Sequence, residues 1–200
     1  GVLTLRLEGR IVEEKTRVSP EDAFSQALLG AAPEDEILLD DLVEGLRFAA
    51  ADEDVTAILL DFDGFGGGTS AALYRVAQEL RAFRDSGKTL IAHRDFYSLG
   101  NYVLAAQASE LTMHPLLSVV DVTGFTSYRP YFAELLETLR VTVNVFRVGT
   151  FKSAVEPFLL EEASPEAEAA LQFVFDDIWD SYKAEAAAGR GVEPALFQRY

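Results

Sequence analysis

Two short runs of the chain are apolar without interruption, Val55-Thr56-Ala57-Ile58-Leu59-Leu60 and Thr89-Leu90-Ile91-Ala92. A strand covered on one face alternates apolar and polar residues, whereas one covered on both faces does not, so both runs predict strands of a parallel sheet. Between them Ala72, Leu73, Val76, Ala77, Leu80 and Phe83 recur at helical spacing, with Arg75, Glu79, Arg81, Arg84 and Asp85 interleaved and Gly87 just beyond. That period, closed by a glycine, predicts an amphipathic helix. Strand, helix and strand make a βαβ unit with a right-handed crossover.

The unit recurs in outline. A helix is expected over 37–51 before the first buried strand and another over 99–108 after the second, and Val2-Leu3-Thr4-Leu5-Arg6-Leu7 opens the chain in a strand-like pattern. Short strands are expected at 111–114 and 119–122, then a helix over 130–139, a strand over 142–148 and a long terminal helix from Ser164-Pro165. Serine as N-cap with proline at the first helical position is a start signal, because the hydroxyl accepts from a free amide and proline has none to leave unpaired. Residues 12–36, with Pro20, Gly30 and Pro33, read as a loop or excursion. The whole, 1–200, is expected to be one α/β domain, without internal repeats and with no biased tract beyond the Ala/Glu-rich end of the last helix.

Composition narrows the partners. With 49% hydrophobic and 25% charged residues over 200 positions, the chain can bury a core and fold. A net charge of −16 repels phosphate backbones, which excludes nucleic acid and anionic lipid as expected partners. The absence of cysteine removes disulfides, thiolate metal sites and cysteine nucleophiles. No apolar run approaches the roughly 18–20 residues that span a bilayer. Gly1 in place of Met, and an end at Phe197-Gln198-Arg199-Tyr200 just past a helix, lead us to expect a fragment from which any anchor or signal has been removed.

Two places concentrate polar chemistry. Asp63-Gly64-Phe65-Gly66-Gly67-Gly68-Thr69 follows a predicted buried strand and precedes a predicted helix. Ligands bind there in open parallel sheets, so the glycines read as a phosphate cradle, an oxyanion-binding turn, or a tight turn needing positive φ. The dinucleotide pattern is broken, since the sixth position from Gly64 is Thr69, and no Walker lysine follows. The second place is Lys152, just after the turn at Gly149. A lone lysine is ordinarily solvated, and it serves as a general base only where burial or a cationic neighbour lowers its pKa; Phe151, Val155 and Phe158 offer such burial. His93 and His114 fall in predicted strands without metal-ligand spacing and read as hydrogen-bonded or edge residues. Asp40-Asp41 and Asp176-Asp177 read as solvated helix faces, and Tyr97, Tyr102, Tyr128 and Tyr131 as groove lining or as core and rim.

The segment Val145-Phe146-Arg147-Val148-Gly149-Thr150-Phe151-Lys152-Ser153-Ala154-Val155-Glu156-Pro157-Phe158 resembles the lysine motif of the long, tandem-domain form of signal peptide peptidase A, a membrane-anchored bacterial serine peptidase. Phe83-Arg84-Asp85-Ser86-Gly87-Lys88, Tyr97-Ser98-Leu99-Gly100-Asn101-Tyr102 and residues 120–125 extend the likeness over nearly the whole chain, as the amino-terminal half of that family. The resemblance implies a ClpP/crotonase-like spiral of βαβ units. It also implies that Lys152 is the general base, with Gly149, Thr150 and Ser153 supporting its loop, while a carboxy-terminal half supplies the serine. That serine belongs to an Ala-Ser-Gly-Gly-Tyr-like motif, and here Leu99 stands in its place. Ser98 is one step away, and one helical step rotates a side chain by about 100°. Gly66 and Gly67 resemble the family's oxyanion turn as a relic, with Phe65 where the active half carries proline.

The function implied is acyl transfer on signal peptides and other extended peptides, at the extracytoplasmic side of the bacterial cytoplasmic membrane, by a homo-oligomer (a tetramer in the full protein), with no metal or organic cofactor. Without the serine-bearing half, this chain is expected to be inactive. Two other readings stay open: a non-catalytic scaffold or oligomerisation domain, and a crotonase-like acyl-CoA enzyme sharing the fold and the glycine turn.

Overall fold

Residues 1–29, 35–145 and 153–198 are described by the computed structural model. In chain order they form β1 (Val2–Arg6), β2 (Gly9–Val12), α1 (Pro20–Leu28), β3 (Glu36–Leu38), α2 (Leu39–Ala51), β4 (Ala57–Asp61), β5 (Phe65–Gly68), α3 (Ser70–Asp85) and β6 (Thr89–His93). There follow β7 (Phe96–Tyr97), α4 (Leu99–Ala105), β8 (Glu110–Thr112), β9 (Val119–Val120), α5 (Ala133–Thr138), a 3-10 turn Ser153–Phe158, α6 (Pro165–Arg190) and a 3-10 turn Pro194–Gln198. By contacts the chain divides into two units, Gly1–Thr123 with Ser181–Tyr200, and Gly124–Asp180.

Among the described residues the first unit holds every strand. Its main sheet has the order β1-β4-β6-β8, all parallel, with Ile58 opposite Leu90 and Ala92 opposite Leu111. Parallel neighbours need long crossovers, and α3 supplies the one between β4 and β6. Its stripe of Ala72, Val76, Ala77, Leu80 and Phe83 is excluded from solvent, as are Ile58, Leu60, Leu90 and Ala92 on the strands. The other face is less covered than an uninterrupted apolar run implies: Leu59 and Ile91 are only half-buried, and Leu59 lines a cavity.

A second sheet, β3-β2-β5, is also parallel. It corrects two expectations. Ile37 and Leu38 were expected in a helix, but they pair with Ile11 and Val12, so α2 begins only at Leu39 with Asp40 and Asp41 in its first turn. The glycine cluster, expected as a turn alone, contributes β5, with Gly67 and Gly68 opposite Arg10 and Ile11. Within the excursion of 12–36, Pro20–Leu28 forms a helix whose Phe24 and Leu28 are exposed. Arg47 of α2 holds Glu79 of α3 at 2.8 Å.

Besides burying Tyr182, Ala186 and Ala187, the end of α6 is joined by polar groups to α3 and to the residues that follow α4. Arg81 donates to the side chains of Gln107 (3.1 Å) and Glu185 (2.8 Å), and Arg84 donates to the carbonyls of Gln107 (3.1 Å) and Gly189 (2.7 Å). The fully buried Gln107 amide donates in turn to the carbonyls of Val103 and Glu185, so no part of it is left unsatisfied.

The second unit is built differently. Among its described residues the buried side chains are Glu156 and Pro157, and α5 buries none. The expected helix over 130–139 is present as the shorter Ala133–Thr138. The expected strand over 142–148 is absent from its described part, 142–145, where the alternating valines meet no hydrogen-bonding neighbour; 146–148 lie outside the described residues. The terminal helix starts where expected, with the Ser164 hydroxyl accepting from the amide of Ala167.

Two helix glycines should respond oppositely to alanine. At Gly45 of α2 an added Cβ meets nothing within 4 Å, so Gly45→Ala should stabilise by about 1 kcal/mol through helix propensity. At Gly189 the same atom meets the Ala106 carbonyl oxygen at 2.6 Å, and the forced shift outweighs that gain, so Gly189→Ala should destabilise by about 1–2 kcal/mol. Urea denaturation of the two variants checks the signs.

Candidate active site

The glycine strand and the first turn of α4 meet in the first unit. After β4, the Asp61 carboxylate accepts from the amide of Asp63 at 3.0 Å, and the Phe65 amide donates to the Phe62 carbonyl, closing the turn into β5. Gly67 has φ of +84°, a conformation that L side chains resist, and a Cβ on Gly66 would meet Arg10 Cγ at 2.8 Å. Thr69 ends the strand and caps α3, its hydroxyl accepting from the amide of Ala72 at 3.2 Å. An ideal Cβ on Gly100 of α4 would lie 3.9 Å from the Gly67 Cα, so the glycine strand and α4 are in direct contact.

At that contact the chain presents Ser98, Leu99 and Gly100. Ser98 is the N-cap of α4: its hydroxyl oxygen accepts from the amide of Asn101 at 3.4 Å. Leu99 is the first helical residue and is half-buried, and it directly precedes the glycine that touches the glycine strand. Beneath it, Phe62, Tyr97, Tyr102 and Phe197 make successive edge contacts at 6.3, 6.4 and 6.2 Å. Burial raises the Tyr97 phenol to about 12, despite the opposing pull of Arg94, and burial raises Tyr102 as well. Beside Tyr102, Val120, Val122, Val192, Leu196 and Phe197 line an apolar recess of about 320 Å³. Of the tyrosines singled out in the sequence, Tyr97 is therefore core, Tyr102 lines a recess, and Tyr128 is 93% exposed.

A larger cavity, about 520 Å³, opens at the carboxyl ends of β4 and β6 between Thr4, Leu59, Asp61, His93, Arg94 and Phe96. Asp61 is held below the usual carboxylate range by the Asp63 amide and by Arg6, whose Nε donates at 3.0 Å. His93 Nδ1 lies 2.9 Å from the Thr112 hydroxyl. His114 was expected in a strand, but β8 ends before it, and its Nδ1 accepts from the amides of Leu116 and Leu117, capping a turn.

In the lysine segment, Gly149, Thr150 and Lys152 lie outside the described residues. Ser153 is described: half-buried, its carbonyl accepts from Arg129 Nη1 at 3.4 Å. The turn it begins contains Glu156, whose Oε1 accepts from the Ser164 hydroxyl at 2.8 Å and whose Oε2 accepts from the Ser164 amide at 3.2 Å. Sequence reasoning passed over this glutamate. The available signal was an acidic residue shortly before a Ser-Pro helix start that has alanine, not glutamate, at its third position.

Comparison with known proteins gives these residues a setting. The model of peptidase family S49 matches residues 82–198. Protease 4 of Salmonella typhi is 36% identical over 196 residues, covering 97% of this chain and 32% of the relative. Protease 4 of Haemophilus influenzae is 35% identical over 194 residues, covering 96% and 31%. The chain thus spans about a third of the length of the curated relatives it matches.

Two outcomes are expected. Ser98→Ala removes the cap and should lower stability by about 1 kcal/mol in a thermal or urea melt. Asp61 titrates lower folded than unfolded, so its contribution is complete above about pH 4 and is lost as pH falls through the depressed value. Asp61→Asn should therefore lose less stability than the parent on acidification from about pH 5 to about pH 2. Parallel losses would show that neither the Asp63 amide nor Arg6 favours the charged Asp61 carboxylate.

Proposed function

The chain belongs to peptidase family S49, and from that footing we propose that it is the lysine-contributing, amino-terminal half of a membrane-associated serine-lysine endopeptidase, with residues 1–200 as one family domain. Its parallel sheets and βαβ units are the ClpP/crotonase-like fold of that family. Among the described residues no helix is long and apolar enough to cross a membrane.

The observation that carries the reading is the start of α4. Where a strand-to-helix elbow beside a glycine strand would need a hydroxyl, this chain has Leu99, and the neighbouring Ser98 hydroxyl is engaged as a helix cap. The nucleophile therefore comes from a carboxy-terminal half, and the relatives' threefold greater length leaves room for one. In the reaction, that serine hydroxyl attacks a peptide carbonyl while the neutral Lys152 amine takes its proton. The tetrahedral intermediate then collapses, the C–N bond breaks, and Lys152 returns the proton to the departing amine. Water, deprotonated by the same lysine, then attacks the acyl carbon, the bond to the serine oxygen breaks, and the lysine returns the proton to that oxygen.

The reaction needs Lys152 neutral, so turnover rises with pH as its amine loses the proton. Gly149, Thr150 and Ser153 support the lysine loop. Gly66 and Gly67 form the counterpart of an oxyanion turn. Substrates are signal-peptide remnants and other extended peptides, met at the extracytoplasmic side of the bacterial membrane by an oligomer of the full protein.

In the full-length protein, Lys152→Ala should lower peptide hydrolysis by about 10³-fold or more with assembly unchanged, and the 200-residue chain alone should be silent. Undiminished hydrolysis by Lys152→Ala would replace this reading with that of a non-catalytic scaffold, and tight calorimetric binding of an acyl-CoA ester with that of a crotonase-like enzyme.

A further inference from the structure

Glu156 is a carboxylate with only 7% of its surface exposed, which is costly unless both oxygens are satisfied. Ser164 satisfies both, through its amide and its hydroxyl, while the same hydroxyl accepts from the amide of Ala167. In an ordinary capping box a glutamate at the third helical position returns to the N-cap amide. Here that position is Ala167, which has no group to return, and Glu156 takes over the task from eight residues upstream of Ser164. Its negative charge also faces the positive end of α6.

The turn bearing Glu156 is fixed at two further points. Arg129 donates to the Ser153 carbonyl at 3.4 Å, and the Phe132 amide donates to the Pro157 carbonyl at 2.6 Å. The rings of Phe132 and Phe158 stack with centroids 6.2 Å apart. In a unit whose described residues bury little else, a buried carboxylate with both oxygens matched, one to the amide and one to the hydroxyl of Ser164, is more than a helix start needs, since Ser164 alone could cap α6. Lys152 lies four residues before Glu156 in the sequence, so the chain between them spans at most about 14 Å.

We infer that Glu156 is a positioning residue for the general base: by binding Ser164 it fixes the chain that leaves Lys152 to the start of α6. The inference rests on the reading of Lys152 as the base. A misplacement of the base acts on the chemical step and not on peptide binding, so its mark is a fall in kcat at constant KM.

The test is steady-state peptide hydrolysis by the full-length protein carrying Glu156→Ala, Glu156→Gln, Ser164→Ala, the Glu156→Ala/Ser164→Ala double change, or Lys152→Ala. Glu156→Ala should lower kcat by about 10- to 100-fold with KM held within about twofold. Glu156→Gln should recover most of kcat, because its carbonyl still accepts from the Ser164 amide and its NH₂ can donate to the hydroxyl. The double change should cost little more than Glu156→Ala alone, as expected of two groups acting as one. Undiminished kcat in Glu156→Ala, or a loss that follows the unfolded fraction seen by circular dichroism, overturns the positioning role. If Glu156→Ala does not fold, Ser164→Ala and Glu156→Gln decide: full kcat in the first, or no recovery by the second, overturns it. Activity retained by Lys152→Ala overturns the base assignment and this role with it, whereas an inactive Lys152→Ala beside a fully active Glu156→Ala overturns the positioning role alone.

Discussion

Burial of one helical stripe organises the first unit. Parallel strands cannot be joined by a tight turn, so β4 and β6 exist as neighbours only because α3 crosses between them and stays on the sheet. Ala72, Val76, Ala77, Leu80 and Phe83 hold it there; Val76, Leu80 and Phe83 each contribute on the order of 1.5–3 kcal/mol and the alanines less. Both ends of α3 carry structural consequences. Its start is set by Thr69 at the end of the glycine strand, and its last turns offer Arg81 and Arg84 to the end of α6. A change that loosened this stripe would reach the glycine strand and the α6 contact together.

Much of this was legible before any coordinates. The runs at 55–60 and 89–92, and the stripe between them, follow from period alone, and Ser164-Pro165 gave the start of α6. What escaped has a common physical cause, that pairing is decided by distant partners. Ile37 and Leu38 continue a helical pattern, yet they join β2 because its edge needs a neighbour. Glycines carry no side-chain period, so β5 could not be read as a strand. The valines around 141–145 alternate as a strand should but find no strand to pair with among the described residues.

The candidate site divides along the same line. Lys152 is marked by likeness to a family's motif alone, and a motif is local. The work of Glu156 was not, since it depends on a hydrogen-bonding partner eight residues away and on burial. Ser98 is the converse case. The sequence sets its hydroxyl aside only by one helical step, and the structure adds that it accepts from the Asn101 amide.

The capping of Ser98 also bears on stoichiometry. An electrophile that marks reactive serines, a fluorophosphonate for instance, selects for a hydroxyl paired with a base and not for serine as such. On the proposed division of labour each full-length chain contains two strand-to-helix elbows but a single activated hydroxyl. Saturating label then amounts to one equivalent per chain, and none of it falls within residues 1–200, although this stretch contains the family's lysine.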